Sequence, residues 1–275
     1  MTTVTVQRMT LLSLQDGSKL EADASYQPGY ARLSLRAGQE ASHTGLLDDA
    51  RMYSTIDNEK CVDTTKVSNK FFGLIQTCVN ESAAMRYKVK LVKHGPATQM
   101  DVYPDANPQT GFGSRFYSVD IVPTFDVGRS LYIAKPKKNE SISPLLWRQS
   151  FSVKERKKLD AADRENGCRK QVFRILKVIR NGEATLKKLT TNHLKTALFR
   201  EMDLDLSWTQ ADVGKRLMGV FGQFDEALTE RSMPHYFVPP VDLLEGISLT
   251  TIRNMRDRIN RLRTNKRLLM QILES

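Results

Sequence analysis

At 275 residues the chain is long enough for one large domain or two packed lobes and can bury a sizeable core. Its 40% hydrophobic and 27% charged residues are those of an ordinary globular protein, and no apolar run approaches the ~20 residues of a membrane span. The formal net charge of +11 is concentrated: residues 1–140 hold 17 Lys/Arg against 15 Asp/Glu, and residues 141–275 hold 25 against 16. That asymmetry fits either a phosphate-bearing partner, nucleotide or nucleic acid, or a set of solvated basic helix faces. Three cysteines (Cys61, Cys78, Cys168) are too few and scattered for a disulfide framework. The N-terminus also lacks a basic region followed by an apolar core. A reducing location is expected, cytoplasmic with nuclear as the alternative.

In chain order, Val4–Leu14 alternates loosely and Tyr30–Leu35 (Y-A-R-L-S-L) clearly, which predicts two strands. The stretch between them, residues 15–29, is full of turn formers and reads as a long hairpin connection. Val67, Phe71, Leu74, Ile75 and Cys78 recur at helical spacing, so Asp63–Glu81 is expected to lay one face on the sheet, with Cys78 as a small core residue. Arg86–Lys93 puts Tyr87, Val89 and Leu91 on one strand face. Phe116–Val127 is the longest predicted strand, with Met100–Tyr103 as its partner. Gly128–Pro144 is a polar connector rich in lysine and proline, and the lobe boundary is placed within it, after residue 140.

Beyond that boundary the period becomes helical. Val153–Ala162 follows Ser152, a candidate N-cap. Arg169–Arg180 is predicted to bury Val172, Phe173, Leu176 and Ile179. Thr191–Met202 and Thr209–Thr229 come next, the latter with Val213, Leu217, Val220, Phe221 and Phe224 inward. Thr250–Leu273 closes the chain as one helix, with Ile252, Met255, Ile259 and Leu262 inward. His193 and His235 are expected to pack against or cap helices.

Three short blocks punctuate this second half: W-R-Q-S-F-S from Trp147, C-R-K from Cys168 and N-H-L-K-T-A-L-F from Asn192. They are separated by helix-sized gaps and followed by H-Y-F-V-P-P-V-D-L-L from His235. In the first half, Y-S-V-D-I-V-P sets Asp120 among β-branched residues, and alternation puts Ser118, Asp120 and Val122 on one strand face. Together these blocks resemble the Mab-21 domain family, whose best-known members are the cyclic GMP-AMP synthases and the synthase-like receptors. The resemblance covers approximately residues 30–265.

It implies an α+β, two-lobed nucleotidyltransferase fold. Residues 1–140 would form a mixed sheet with a flanking helix, and residues 141–275 a Mab-21-type helical lobe. The implied activity is an innate-immune one: sensing nucleic acid and joining ATP and GTP into a cyclic dinucleotide. The alternative is a non-catalytic member that binds nucleotide or nucleic acid in a developmental or adaptor role. Family chemistry rests on two Mg²⁺ (or Mn²⁺) ions held by three carboxylates on neighbouring strands. Asp120 matches the third carboxylate, making it the catalytic and metal-ligand candidate.

The other two, which the family sets as a carboxylate–x–carboxylate pair after a Gly-Ser turn, have no clear match. Gly17-Ser18 is followed too soon by Glu21-Ala22-Asp23, and Gly113-Ser114 leads to no pair. Asp126 lies roughly 20 Å along the strand from Asp120. The pair belongs near or before Val4–Met9, where the chain offers Thr5 and Gln7. The chain is therefore expected to begin after the motif, or with the motif replaced, and to be inactive or nearly so. In the helical lobe the resemblance makes Arg148 the base-stacking residue, with Ser150 and Ser152 near it. Lys177 becomes the triphosphate-binding lysine, and Thr191 and Asn192 further nucleotide contacts. Lys170, Arg174 and Lys177 share a helix face. The family's vertebrate DNA-sensing enzyme carries a zinc module of one histidine and three cysteines between these two blocks, whereas here the stretch between Arg148 and Cys168 has no histidine and no second cysteine, so no zinc is expected. By resemblance, that departure points towards the zinc-free synthase-like receptors, with double-stranded RNA favoured as partner, or towards developmental Mab-21-like proteins.

Overall fold

Strand pairing organises the first half of the chain. The computed structural model describes residues 6–14, 20–25, 27–36, 49–56, 58–82, 87–94, 97–104, 117–135, 143–162, 167–204 and 207–274. Two units follow from the contacts, Met1–Ser150 and Phe151–Ser275. The division thus falls after Ser150 rather than after residue 140.

In the first unit the strands are β1 (Val6–Leu14), β2 (Leu20–Asp23), β3 (Tyr30–Leu35), β4 (Tyr53–Ile56) and β5 (Glu59–Val62). They continue with β6 (Tyr87–His94), β7 (Ala97–Pro104), β8 (Tyr117–Val127), β9 (Ser130–Ile133) and β10 (Leu146–Ser150). The sheet runs β4-β5-β3-β10-β9-β8-β7-β6, with β2 paired to β3 and β1 to β8. Its pairings are antiparallel except β1–β8, which is parallel. The sheet is mixed, as expected.

β9 lies inside the segment expected to be connector. Gly128 (φ 59) and Arg129 (φ 70) both adopt the left-handed region, which turns β8 back onto β9 with the twist that a tight hairpin needs. The alternation of β3 also gives way to its position. Ala31, Arg32, Leu33 and Ser34 are all buried, because a central strand is covered on both faces. Trp147 is fully buried, stands edge-on to Phe125 at 5.1 Å and donates its indole N–H to the Val62 carbonyl at 2.8 Å. The first half of the W-R-Q-S-F-S block is therefore a core strand of the sheet.

Helix α1 (Thr64–Glu81) begins at Asp63, whose carboxylate accepts from the backbone N–H of Thr65 and Lys66. Val67 and Phe71 are buried. The expected stripe then fails: Leu74 is 48% exposed and Cys78 is exposed. Helical spacing gave the right face, but burial within this unit stops after two turns, so Cys78 is not a core residue.

The second unit is helical: α2 (Ser152–Ala162), α3 (Arg169–Gly182), α4 (Thr191–Leu204), α5 (Val213–Glu230), α6 (Leu249–Thr264) and α7 (Lys266–Glu274). A short hairpin, β11 (Pro234–His235) with β12 (Val238–Asp242), sits between α5 and α6. Val172, Phe173, Leu176 and Ile179 of α3 join Leu194, Leu198, Val220, Phe221, Phe224, Met255 and Ile259 in one core. Ser152 is the first residue of α2 rather than its cap.

The expected final helix is two helices. Asn265 leaves helical geometry (φ −114, ψ 90) and caps both: its N–H donates to the Arg261 carbonyl, and its side chain accepts from the Leu268 N–H. The apolar period runs on across the break, which is why the sequence pattern shows one helix.

Candidate functional site

Asp120 lies on β8 between two strands. On one side β7 sets Gln99 opposite Asp120 and Asp101 opposite Ser118. On the other, parallel β1 sets Gln7 opposite Ser118 and Met9 opposite Asp120. Cross-strand neighbours share a sheet face, so these are the register positions from which a second and third carboxylate could join Asp120 on a metal. β1 reads V-Q-R-M-T-L-L-S-L and contains no acid.

On β7, Asp101 is buried, and one of its oxygens accepts from the Ser118 hydroxyl at 2.8 Å and the Gln99 amide at 2.9 Å. Sequence reasoning missed Asp101. Its alternation within A-T-Q-M-D-V was visible, but its closeness to Ser118 depends on a register that no local pattern encodes.

Glu21-Ala22-Asp23 forms β2, paired with β3. Asp23 accepts from the Ser25 N–H, and its hydrogen bonds to Ser25 lower its pKa. It closes a local turn of the kind aspartate favours after a strand. Asp126 is exposed and pairs with Leu131 of β9. Gly17-Ser18, Gly113-Ser114 and Thr5 lie outside the described residues.

In the second unit, α3 carries Lys170, Arg174, Lys177 and Arg180 at three- and four-residue spacing, a basic stripe. Lys170 pairs with Asp160 at 2.8 Å. Lys177 is half-buried, with its ammonium 4.4 Å from the Phe173 ring centroid. Burial holds its pKa below the usual lysine value, and the neighbouring Lys195, Arg180 and Arg174 push the same way.

Every charge that shifts Lys177 is therefore positive. Lys195, on α4, forms an ion pair with Glu155 of α2. Arg180 reaches the Asn181 side chain and the Leu189 carbonyl. The structure thus gathers Lys177 with Arg174, Arg180 and Lys195. The last two had no assigned role, although Lys195 stands in the N-H-L-K-T block. Thr191 and Asn192 are half-buried in the first turn of α4, one turn before Lys195.

His193 is a latch, as expected of a packed histidine. The Thr190 N–H donates to its Nδ1 at 3.0 Å, which leaves Nε2–H to donate to the Leu243 carbonyl at 2.8 Å. Arg148 and Ser150 alternate onto one face of β10 in the first unit, whereas Ser152 opens α2 in the second.

Behind the stripe, the arginine of C-R-K serves the core. Arg169 and Arg216 each hold a guanidinium 5.3 Å from the Trp208 ring. Arg216 also reaches the buried Glu201 at 3.5 Å. Gly219 makes room for this, since a Cβ there would lie 2.1 Å from Glu201 Oε1.

The Mab-21 protein nucleotidyltransferase domain matches residues 8–161, and the Mab-21 protein HhH/H2TH-like domain matches residues 168–261, opening on Cys168 of C-R-K. The chain belongs to the Mab-21 family. It is 31% identical over 273 residues to cyclic GMP-AMP synthase-like receptor 3 of Stylophora pistillata, covering 94% of this chain and 75% of that protein. It is 34% identical over 122 residues to a protein mab-21-like of Aedes aegypti, and 29% over 121 residues to one of Drosophila melanogaster. In both cases the match takes in 42% of this chain and 32% of the relative.

Nucleotidyltransferases of this family generally use Mg²⁺ or Mn²⁺. The described residues around Asp120 do not fit that pair of ions. β1 offers the neutral Gln7 and Met9 at the facing positions, and Asp101 is engaged by Ser118 and Gln99. Among the described residues no three acids, histidines or cysteines come together as a ligand set. No helix of the described residues is long and apolar enough to cross a membrane.

Proposed function

We propose that this chain is a cyclic GMP-AMP synthase-like receptor that binds a nucleoside triphosphate, ATP or GTP, and double-stranded nucleic acid, RNA favoured, without performing nucleotidyl transfer itself. The observation that carries this reading is the cation cluster on α3 and α4. Arg174, Lys177 and Arg180 follow one another along α3, and burial of Lys177 first, then the nearby charges of Lys195, Arg180 and Arg174, lower its pKa. Such crowding raises the energy of the empty state and is relieved by a polyanion.

Arginine suits bidentate phosphate contacts, and lysine supplies a mobile point charge. The family resemblance adds Arg148, Ser150 and Ser152 as base-side contacts, and Thr191 and Asn192 as further nucleotide contacts. Calorimetric titration with ATP tests the reading. Lys177→Ala is expected to weaken binding about tenfold while the thermal unfolding curve stays in place. Unchanged affinity would show that Lys177 has another role. Binding to double-stranded RNA is expected to fall steeply with salt and to show little sequence preference.

Synthesis of a cyclic dinucleotide is the second reading. It is supported by Asp120 standing on a central strand where the resemblance puts a metal ligand. Incubation with ATP, GTP, Mn²⁺ and double-stranded RNA separates the two. Formation of a phosphodiester-linked product would establish catalysis.

A further inference from the structure

The sheet unit and the helical unit, each taken by itself, differ in what they offer an ion. In the sheet unit, the strand parallel to β8 sets Gln7, Arg8 and Met9 beside Ser118, Val119 and Asp120. The strand on the other side contributes Asp101, which already accepts from Ser118 and Gln99. A single strand aspartate is a poor magnesium site, because the ion sheds water reluctantly and needs near-octahedral oxygen donors.

In the helical unit, Arg174, Lys177 and Arg180 occupy one stripe of α3, and Lys195 stands nearby on α4. Glu155 meets Lys195, leaving the cluster strongly positive. A cationic cluster attracts a polyphosphate more strongly when no divalent ion has neutralised part of its charge.

We infer that this chain takes its nucleoside triphosphate as the free, metal-uncomplexed polyanion, held by Arg174, Lys177, Arg180 and Lys195, and that Asp120 recruits no catalytic metal pair. This rests on the nucleotide-binding reading above and adds the ionic form of the ligand. The usual logic of the fold is thereby reversed: magnesium competes with the protein for the phosphates instead of bridging them.

The test is calorimetric titration of the full chain with ATP at low ionic strength, once in EDTA and once in excess Mg²⁺. Binding is expected in EDTA and should be about fivefold weaker in Mg²⁺, from the lost charge at a screened, part-exposed site. Binding that requires Mg²⁺, or is tighter with it, overturns the inference and leaves the nucleotide reading standing. No binding in either buffer overturns both.

A second measurement addresses Asp120 directly. Electron paramagnetic resonance of Mn²⁺ titrated into the chain without nucleotide is expected to show the signal of the free hydrated ion throughout. Stoichiometric loss of that signal, abolished by Asp120→Asn, would overturn the inference from the sheet side.

Discussion

In the sheet unit, the strands around Asp120 form a continuous frame: a central β8 flanked by β7 and a parallel β1, in a sheet whose core holds Trp147 and Phe125. The residue types on β1 are nevertheless neutral or basic. In the helical unit, frame and charge are both present: α3 and α4 pack through Leu176, Ile179, Leu194 and Leu198 and bring together the exposed Arg174 with the part-buried Lys177, Arg180 and Lys195. The contrast teaches that the backbone frame and the chemistry it holds are separable. Core packing is fixed by apolar burial, whereas a metal site depends on two or three residue types at register positions that can change without disturbing the core.

The largest way to break that comparison is to remove the frame itself. Trp147→Ala deletes a fully buried ring, its edge contact with Phe125 and the hydrogen bond to Val62. It is expected to cost about 3–5 kcal/mol, read as a lower urea midpoint. If two transitions are resolved, the earlier should be the one that shifts. A shift confined to the later transition would assign the sheet to the more stable unit.

Next in size is Gly219→Ala in the helical unit. The new methyl would sit where Glu201 now does, displacing it from Arg216 and so disturbing the Trp208 stack behind the C-R-K helix. A loss of about 1–3 kcal/mol is expected, together with weaker nucleotide binding, because the helix that carries Lys177 rests on this box. Weakened binding without any loss of stability would mean that Gly219 itself approaches the ligand.

These effects trace back unevenly to the sequence. The α3 stripe was legible because four apolar residues at helical spacing describe a face wherever the helix packs. The last two turns of α1 were not, because Leu74 and Cys78 carry the same pattern and burial depends on what lies opposite. The place of Asp120 on a strand was legible from its motif. Gln7 was named from its distance along the chain, whereas Met9 and Asp101 were not assignable, since their adjacency is set by long-range pairing. Lys195 and Arg180 share this reason: each looks like a solvated lysine or arginine until α3 and α4 meet.

A smaller effect comes from pH. Burial lowers the His193 pKa below its usual 6.5, which keeps the ring neutral between Thr190 and Leu243. Because the folded pKa is depressed, the unfolded chain binds the proton first. The contribution is complete above about pH 6.5 and is lost as pH falls below it. The melting temperature of the helical unit should decline over that interval, and His193→Gln should flatten the decline while lowering stability at neutral pH. An unchanged pH slope in the variant would place the titration elsewhere.

The smallest stability effect is expected at Lys170, and it sharpens the comparison most. Its ion pair with Asp160 joins two half-exposed side chains, so Lys170→Ala should change stability by no more than about 0.5 kcal/mol. The same residue extends the α3 stripe at the N-terminal end of the helix, where a duplex backbone would gain from each added cation. Its removal should lower affinity for double-stranded RNA and reduce the salt slope by about 1, without altering ATP binding at Lys177. That pattern would separate two ligands along one helix: polyphosphate at the half-buried Lys177, nucleic acid at its exposed N-terminal end. If instead both ligands weaken together, the stripe is a single anion surface, and the half-burial of Lys177 confers no selectivity.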